Sequence, residues 1–189
     1  GRAALRPDTQ RDGSCTAEAG GACASASSVA VTLAGRGKVD AGTSAIALAV
    51  GLDGGRGDDR VDNTGLVRVD ALARSRTGGA GVTVFGVNDF KSSTLVSATV
   101  SGIAGGDGAD HLANHGTIEA VAAADTYAGN TAVVIGGVAM AEGNTQAATA
   151  AAGIDGGAGD DTLVNTGAAS LKVAADAYGC TLIGQRPEN

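Results

Sequence analysis

The residues in this chain best suited to chemistry are aspartates set among glycines. Three stretches carry them: Gly51-Leu-Asp-Gly-Gly-Arg-Gly-Asp-Asp59, Gly102-Ile-Ala-Gly-Gly-Asp-Gly-Ala-Asp110 and Gly153-Ile-Asp-Gly-Gly-Ala-Gly-Asp-Asp161. Glycine lets backbone carbonyls turn inward and approach an ion closely. Neighbouring carboxylates add the negative charge, and a hard cation such as calcium takes about six to eight oxygen ligands. An apolar residue follows each stretch, Val61, Leu112 or Leu163, and anchors the turn to a core.

The elements that hold these turns follow from their spacing. Each stretch begins 51 residues after the last and runs on to Asn-x-Gly, at Asn63 and Gly65, Asn114 and Gly116, Asn165 and Gly167. Weaker positions keep the same phase: Val67, Ile118 and Ala169; Val69, Ala120 and Leu171; Ala71, Ala122 and Val173. Mostly polar residues such as Arg68, Glu119 and Ser170 lie between them, which is the two-residue period of a half-buried strand. A second strand reads from Val31 and Leu33, Val82 and Val84, Val133 and Ile135, and a third from 43–49, 94–100 and 145–151. Helix competes for Ala-rich stretches such as Ala120 to Ala124, but alternation in the matching stretches and the glycine interruptions favour strand.

Short strands and glycine turns repeating in register predict an all-β fold, a parallel β-solenoid (β-helix). A fully extended 51-residue coil would have a perimeter of roughly 170 Å, too wide for small side chains to fill. Two coils per repeat are therefore expected. Residues 1–15 read as an N-terminal arm or cap. Residues 16–189 read as one solenoid domain with copies at 16–50 (partial), 51–101, 102–152 and 153–189 (partial). The absence of an initiating Met suggests a removed leader or a piece of something longer. The unpaired strand edges of a stack invite pairing with another chain.

The segments Gly54-Gly-Arg-Gly-Asp-Asp-Arg-Val-Asp62, Gly105-Gly-Asp-Gly-Ala-Asp-His-Leu-Ala113 and Gly156-Gly-Ala-Gly-Asp-Asp-Thr-Leu-Val164 match the pattern G-G-x-G-x-D-x-U-x. In this the chain resembles the RTX (haemolysin-type) calcium-binding nonapeptide repeats of secreted bacterial proteins, and the long repeat is similar to those of large bacterial surface proteins. The resemblance implies calcium (Ca2+) as the cofactor and Asp59, Asp110 and Asp161 as side-chain ligands, with glycine carbonyls completing the sphere. Asp53, Asp58, Asp107, Asp155 and Asp160 are secondary candidates. One departure stands out: the family's motifs run in tandem, whereas here one occurs in each 51 residues. With two coils per repeat the neighbouring turn would be a different sequence, such as an acidic loop around Asp40, Asp89 or Glu142. Ala104 and Ala109 make the second motif the weakest.

Other classes fit poorly. A net charge of −7 argues against nucleic acid, and no apolar run reaches the length of a membrane span. No Ser/His/Asp or Cys/His constellation stands apart from the turns, so the chain does not read as an enzyme. His111 and His115 read as turn residues, and Arg56-Gly57-Asp58 as a coincidental tripeptide. Thr43, Thr94 and Thr145 share a register, but the row is too sparse for ice binding. With only four aromatic residues, little is left for a glycan platform. The expectation is an extracellular or cell-surface structural protein, a subunit or segment of a filament, fibre or stalk assembling head to tail. An adhesin or ligand-binding module of a large secreted repeat protein is the alternative. The odd cysteine count suggests one internal bridge and one spare thiol, with Cys180 pairing to Cys15 or Cys23 of a neighbouring subunit.

Overall fold

The computed structural model describes residues 21–185, so the expected arm at 1–15 lies outside the described residues. The elements are β1 (Gly21–Arg56), β2 (Arg60–Asn63), β3 (Leu66–Asp107), β4 (His111–Asn114), β5 (Thr117–Ala158), β6 (Thr162–Asn165) and β7 (Ala168–Gln185). They form a four-stranded sheet, β1-β3-β5-β7, and a three-stranded sheet, β2-β4-β6. Every pairing is parallel. The fold is the parallel β-solenoid that the alternation predicts, and the Ala-rich stretch at 120–124 is strand within β5.

The expectation of two coils per repeat is overturned. Val31 pairs with Val82 and Val82 with Val133; Thr43 pairs with Thr94 and Thr94 with Thr145. Each residue thus sits beside its equivalent 51 positions on, and one rung takes up the whole repeat. The perimeter estimate fails because the rung is not an open ring. It is pressed flat, with residues 66–84 forming one wall and 88–101 the other. Near the tip Gly81 lies against the Phe90 ring, and Asn88 donates to the Thr83 hydroxyl. Farther along, Thr94 Oγ1 donates to Thr77 Oγ1 at 3.4 Å. Small side chains therefore fill the gap between two walls, not the lumen of a tube.

Burial alternates strictly along each wall. Residues 69, 71, 73, 75, 77, 79, 81 and 83 face inward, as do 88, 90, 92, 94, 96, 98 and 100. The phase slips at the tip, where Gly35, Gly86 and Gly137 take φ of +106°, +135° and +143°. A Cβ on Gly86 would fall on the Gly35 carbonyl of the rung beside it, so only glycine can stack there. This parity corrects the second strand read from sequence. The wall begun by Val67 runs unbroken to Thr83, so Val82 and Val84 must point the other way. Thr83 and Val134 are 1% and 3% exposed, whereas Val31, Leu33 and Val133 are exposed.

Three hydrophobic clusters fill the interior. Ala45, Ala47, Val69, Ala71, Ala73, Val96 and Ala98 belong to the middle one. Val39, Phe90, Ala132, Val134 and Ala139 form the cluster near the tip. Ile103, Leu112 and Ile118 form the third, under the glycine turns. A band of hydroxyls interrupts them: Thr43 Oγ1 meets Ser75 Oγ at 2.5 Å and Thr77 Oγ1 at 2.7 Å. Thr94 is 1% exposed. The threonine row therefore faces the interior, and the structure removes what support it lent to ice binding.

Candidate cation-binding turns

The glycine stretches close each rung at the end opposite the tip. Their glycines divide the work. Gly55, Gly57, Gly106, Gly108, Gly157 and Gly159 hold positive φ between +90° and +150°, which bends the chain back toward the next wall. The preceding glycine has a different task. A Cβ on Gly105 would meet Asp110 Oδ2 at 2.5 Å and crowd the Gly156 carbonyl; one on Gly156 would meet Asp161 Oδ2 at 2.6 Å. The motif's aspartate is tucked under its own turn, into the space that glycine leaves. Leu112 at 0% exposure pins the turn to the core.

Stacking in single rungs places each motif directly on the next copy of itself. The neighbouring turn is not a different sequence, and the acidic-loop expectation is overturned. Asp40, Asp89 and Glu142 belong to the other end of the wall, where Lys91 Nζ takes Glu142 Oε2 at 3.2 Å. The arrangement of motif upon motif brings together one of the predicted sets. The amide of Asp59 donates to Asp110 Oδ1 at 2.8 Å, and the amide of Asp110 to Asp161 Oδ1 at 3.0 Å. The second motif, read as the weakest, holds the central and most buried carboxylate, Asp110 at 2% exposure.

The other candidates do not join this stack. Asp53 and Asp155 are exposed and separated by Ala104 in the register. Asp58 and Asp160 are exposed; Asp58 Oδ1 accepts the amide of Ala109 at 2.9 Å, where the intervening rung has no carboxylate. Asp107 forms an exposed ion pair with Arg56 at 3.8 Å. Arg56-Gly57-Asp58 is thus engaged at both ends by the neighbouring rung. His115 Nδ1 contacts Thr166 Oγ1 at 2.6 Å, and its Nε2 lies 3.9 Å from Asp62.

The electrostatics of the inner stack are unbalanced. Carboxylates one rung apart, about 4.8 Å, repel by about 3 kcal/mol at an effective dielectric of about 20. Oδ1 of Asp110 and Oδ1 of Asp161 are each spoken for by a backbone amide. Oδ2 of Asp59 and Oδ2 of Asp110 are buried and have no hydrogen-bond partner. Such orphaned carboxylate oxygens, beside a glycine carbonyl, fit a bound cation. Among the described residues, no group of three or more His, Cys, Asp or Glu side chains is arranged to hold a metal.

A second ladder was present in the sequence only as turn punctuation. Asn63 Nδ2 donates to Asn114 Oδ1 at 2.7 Å, and Asn114 Nδ2 to Asn165 Oδ1 at 2.9 Å. The Asn114 carbonyl also accepts the amides of Thr166 and Gly167, and the Asn63 carbonyl those of His115 and Gly116. The Asn-x-Gly corner is a structural clamp adjoining the aspartate stack. Comparison with protein-family models, with curated proteins and with solved structures finds no match to the chain.

Proposed function

We propose that this chain is a calcium-stabilised β-solenoid rod, an extracellular structural protein that is a subunit or segment of a filament, fibre or stalk. The observation that carries the reading is the stack of Asp59, Asp110 and Asp161 with two orphaned inner oxygens. Asp59, Asp110 and Asp161 would hold the ion with glycine carbonyls of adjacent turns. The ion would supply positive charge between like-charged rungs, and its binding free energy would add to folding stability. Low calcium then leaves the stack self-repelling, and an extracellular calcium level orders it.

Elongation by rung-on-rung stacking is part of the same reading. On the last described rung Leu163, Leu171 and Val173 are 48%, 45% and 59% exposed, although their equivalents Leu112, Ala120 and Ala122 are all fully buried. A further rung would cover them, from more of the same chain in the segment reading or from a second copy in a head-to-tail, heterologous contact in the subunit reading. Cys23 is disulfide-bonded and Cys180 carries an exposed free thiol. Cys23 is thereby already committed, and a link from Cys180 to Cys15 of a neighbour concerns a residue outside the described ones.

The test is thermal melting with calcium, with magnesium and with a chelator, followed by electron microscopy of the calcium form. Selective stabilisation by calcium and unbranched fibres are expected. An unchanged melting temperature on chelation removes the cation, and dispersed particles at high concentration remove the self-assembly.

A further inference from the structure

Both tyrosines of the chain stand on the outer face of the first wall, one above the other. The row is Ser25, Arg76, Tyr127 and Tyr178 in successive rungs. Beside it runs Ser27, Gly78, Gly129 and Cys180, so the two central rungs have no side chain there. Tyr127 leans into that gap: a Cβ on Gly129 would lie 2.9 Å from its Cε1 and 3.0 Å from its hydroxyl oxygen. On the other flank lie Arg74, Asp125 and Asp176. The result is a groove along the rod axis with a cavity of about 630 Å³, bordered by Ser25, Ser27, Arg76, Asp125, Tyr127 and Tyr178.

We infer that this groove binds a neutral, linear oligosaccharide. The volume lies within the range of small-ligand sites, about 300–1,000 Å³. Tyr127 and Tyr178, 45% and 58% exposed, offer amphipathic ring faces for the C–H face of a sugar. Arg76 supplies donors, Asp125 acceptors, and the hydroxyls of Ser25, Ser27 and the tyrosines both; a polyol needs all three. No hydrogen bond or ion pair within the described residues engages the side chains of Arg76, Asp125, Tyr127 or Tyr178. Arg74 and Arg76 balance Asp125 and Asp176, so the groove favours neither an anionic nor a cationic ligand. Its four rungs span about 14 Å, enough for a few sugar rings in a row. This inference is independent of the proposed cation.

The chain has two tyrosines and no tryptophan, so its intrinsic emission reports on this groove alone. The full chain is titrated with cellohexaose, xylohexaose, mannohexaose and N-acetylchitohexaose, and binding is repeated by calorimetry. A saturable emission change with at least one of them is expected. Affinity should fall at least tenfold in Tyr127→Ala and severalfold in Asp125→Asn, with circular dichroism and melting unchanged. Asp125→Asn alters an outward-facing side chain and keeps its size, so it decides the matter if Tyr127→Ala does not fold. Silence with all four sugars, or binding that both variants leave intact, overturns the inference. So does an emission change caused by an extended peptide such as a casein digest but by no sugar.

Discussion

The backbone amide of Asp59 donates to the carboxylate of Asp110, the residue one full repeat ahead of it. The bond uses Oδ1 and leaves Oδ2 buried and unpartnered, so the two oxygens of one side chain have separable roles. Oδ1 ties rungs together whatever the ionic conditions. Oδ2 is the oxygen left for the proposed cation.

Asp110→Asn separates these roles, because an amide oxygen can replace Oδ1 while the charge disappears. In calcium the native protein should be the more stable by about 2–3 kcal/mol, the gain from a ligand near a hundred times its Kd. In chelator the order should reverse or vanish, since the variant no longer places a charge between Asp59 and Asp161. Asp110→Ala should be the least stable in both. Melting curves of the three proteins with and without chelator check this; a calcium response of native size in Asp110→Asn would place the ion elsewhere.

Asn114 is 0% exposed and bonded through its side chain to Asn63 and Asn165. Asn114→Leu removes both bonds and leaves a donor and an acceptor without partners. The expected loss is about 2–4 kcal/mol by chemical denaturation, with the calcium response retained because the aspartate stack is untouched. A loss under about 0.5 kcal/mol would mean that water replaces the clamp.

Much of this is legible in the sequence, for a physical reason. A parallel stack with a fixed rung length writes each row of side chains into the sequence at constant spacing. Asp59, Asp110 and Asp161 announce themselves this way, and so do Val67 and Ile118. Rung length itself was not legible, because a perimeter says nothing about whether a rung is round or flat. The outward face of Val31 and Val82 follows only from the unbroken strand between Val67 and Thr83, which local alternation around Val82 does not reveal. Tyr127 and Tyr178 stand one repeat apart and their alignment could have been seen. Their low number in the composition does not reveal that they share one row.

The Lys91–Glu142 pair gives the clearest pH dependence outside the turns. The hydrogen bond and the charge of Glu142, then Asp89, raise the Lys91 pKa above its ordinary 10.5. A raised lysine contributes stability that is fully present below that ordinary value and is lost as pH rises through the folded one. The side chains are exposed, so the effect is small and screened by salt. Lys91→Met should lower the melting temperature slightly at neutral pH and low salt. The difference should close above the lysine range or in 1 M salt. A gap that persists there would mean lost packing of the lysine stem.

Gly81 and Phe90 give the sharpest test of the flattened rung. The Phe90 ring is 1% exposed and occupies the space of a Gly81 Cβ. The equivalent pairs in the neighbouring rungs are Ala30 with Val39 and Ala132 with Ala141, so the wall opposite carries an alanine where it faces valine or alanine and a glycine only where it faces Phe90. Gly81→Ala should destabilise by about 1–3 kcal/mol through overpacking, and Phe90→Val by a similar amount through the lost ring and the cavity it leaves. The double variant recreates the Ala30–Val39 combination and should recover most of the Gly81→Ala loss, giving a favourable coupling of about 1 kcal/mol or more. Urea unfolding of the four proteins measures it. Strict additivity would mean that the two walls do not touch at this pair, and the single flattened coil would have to be abandoned.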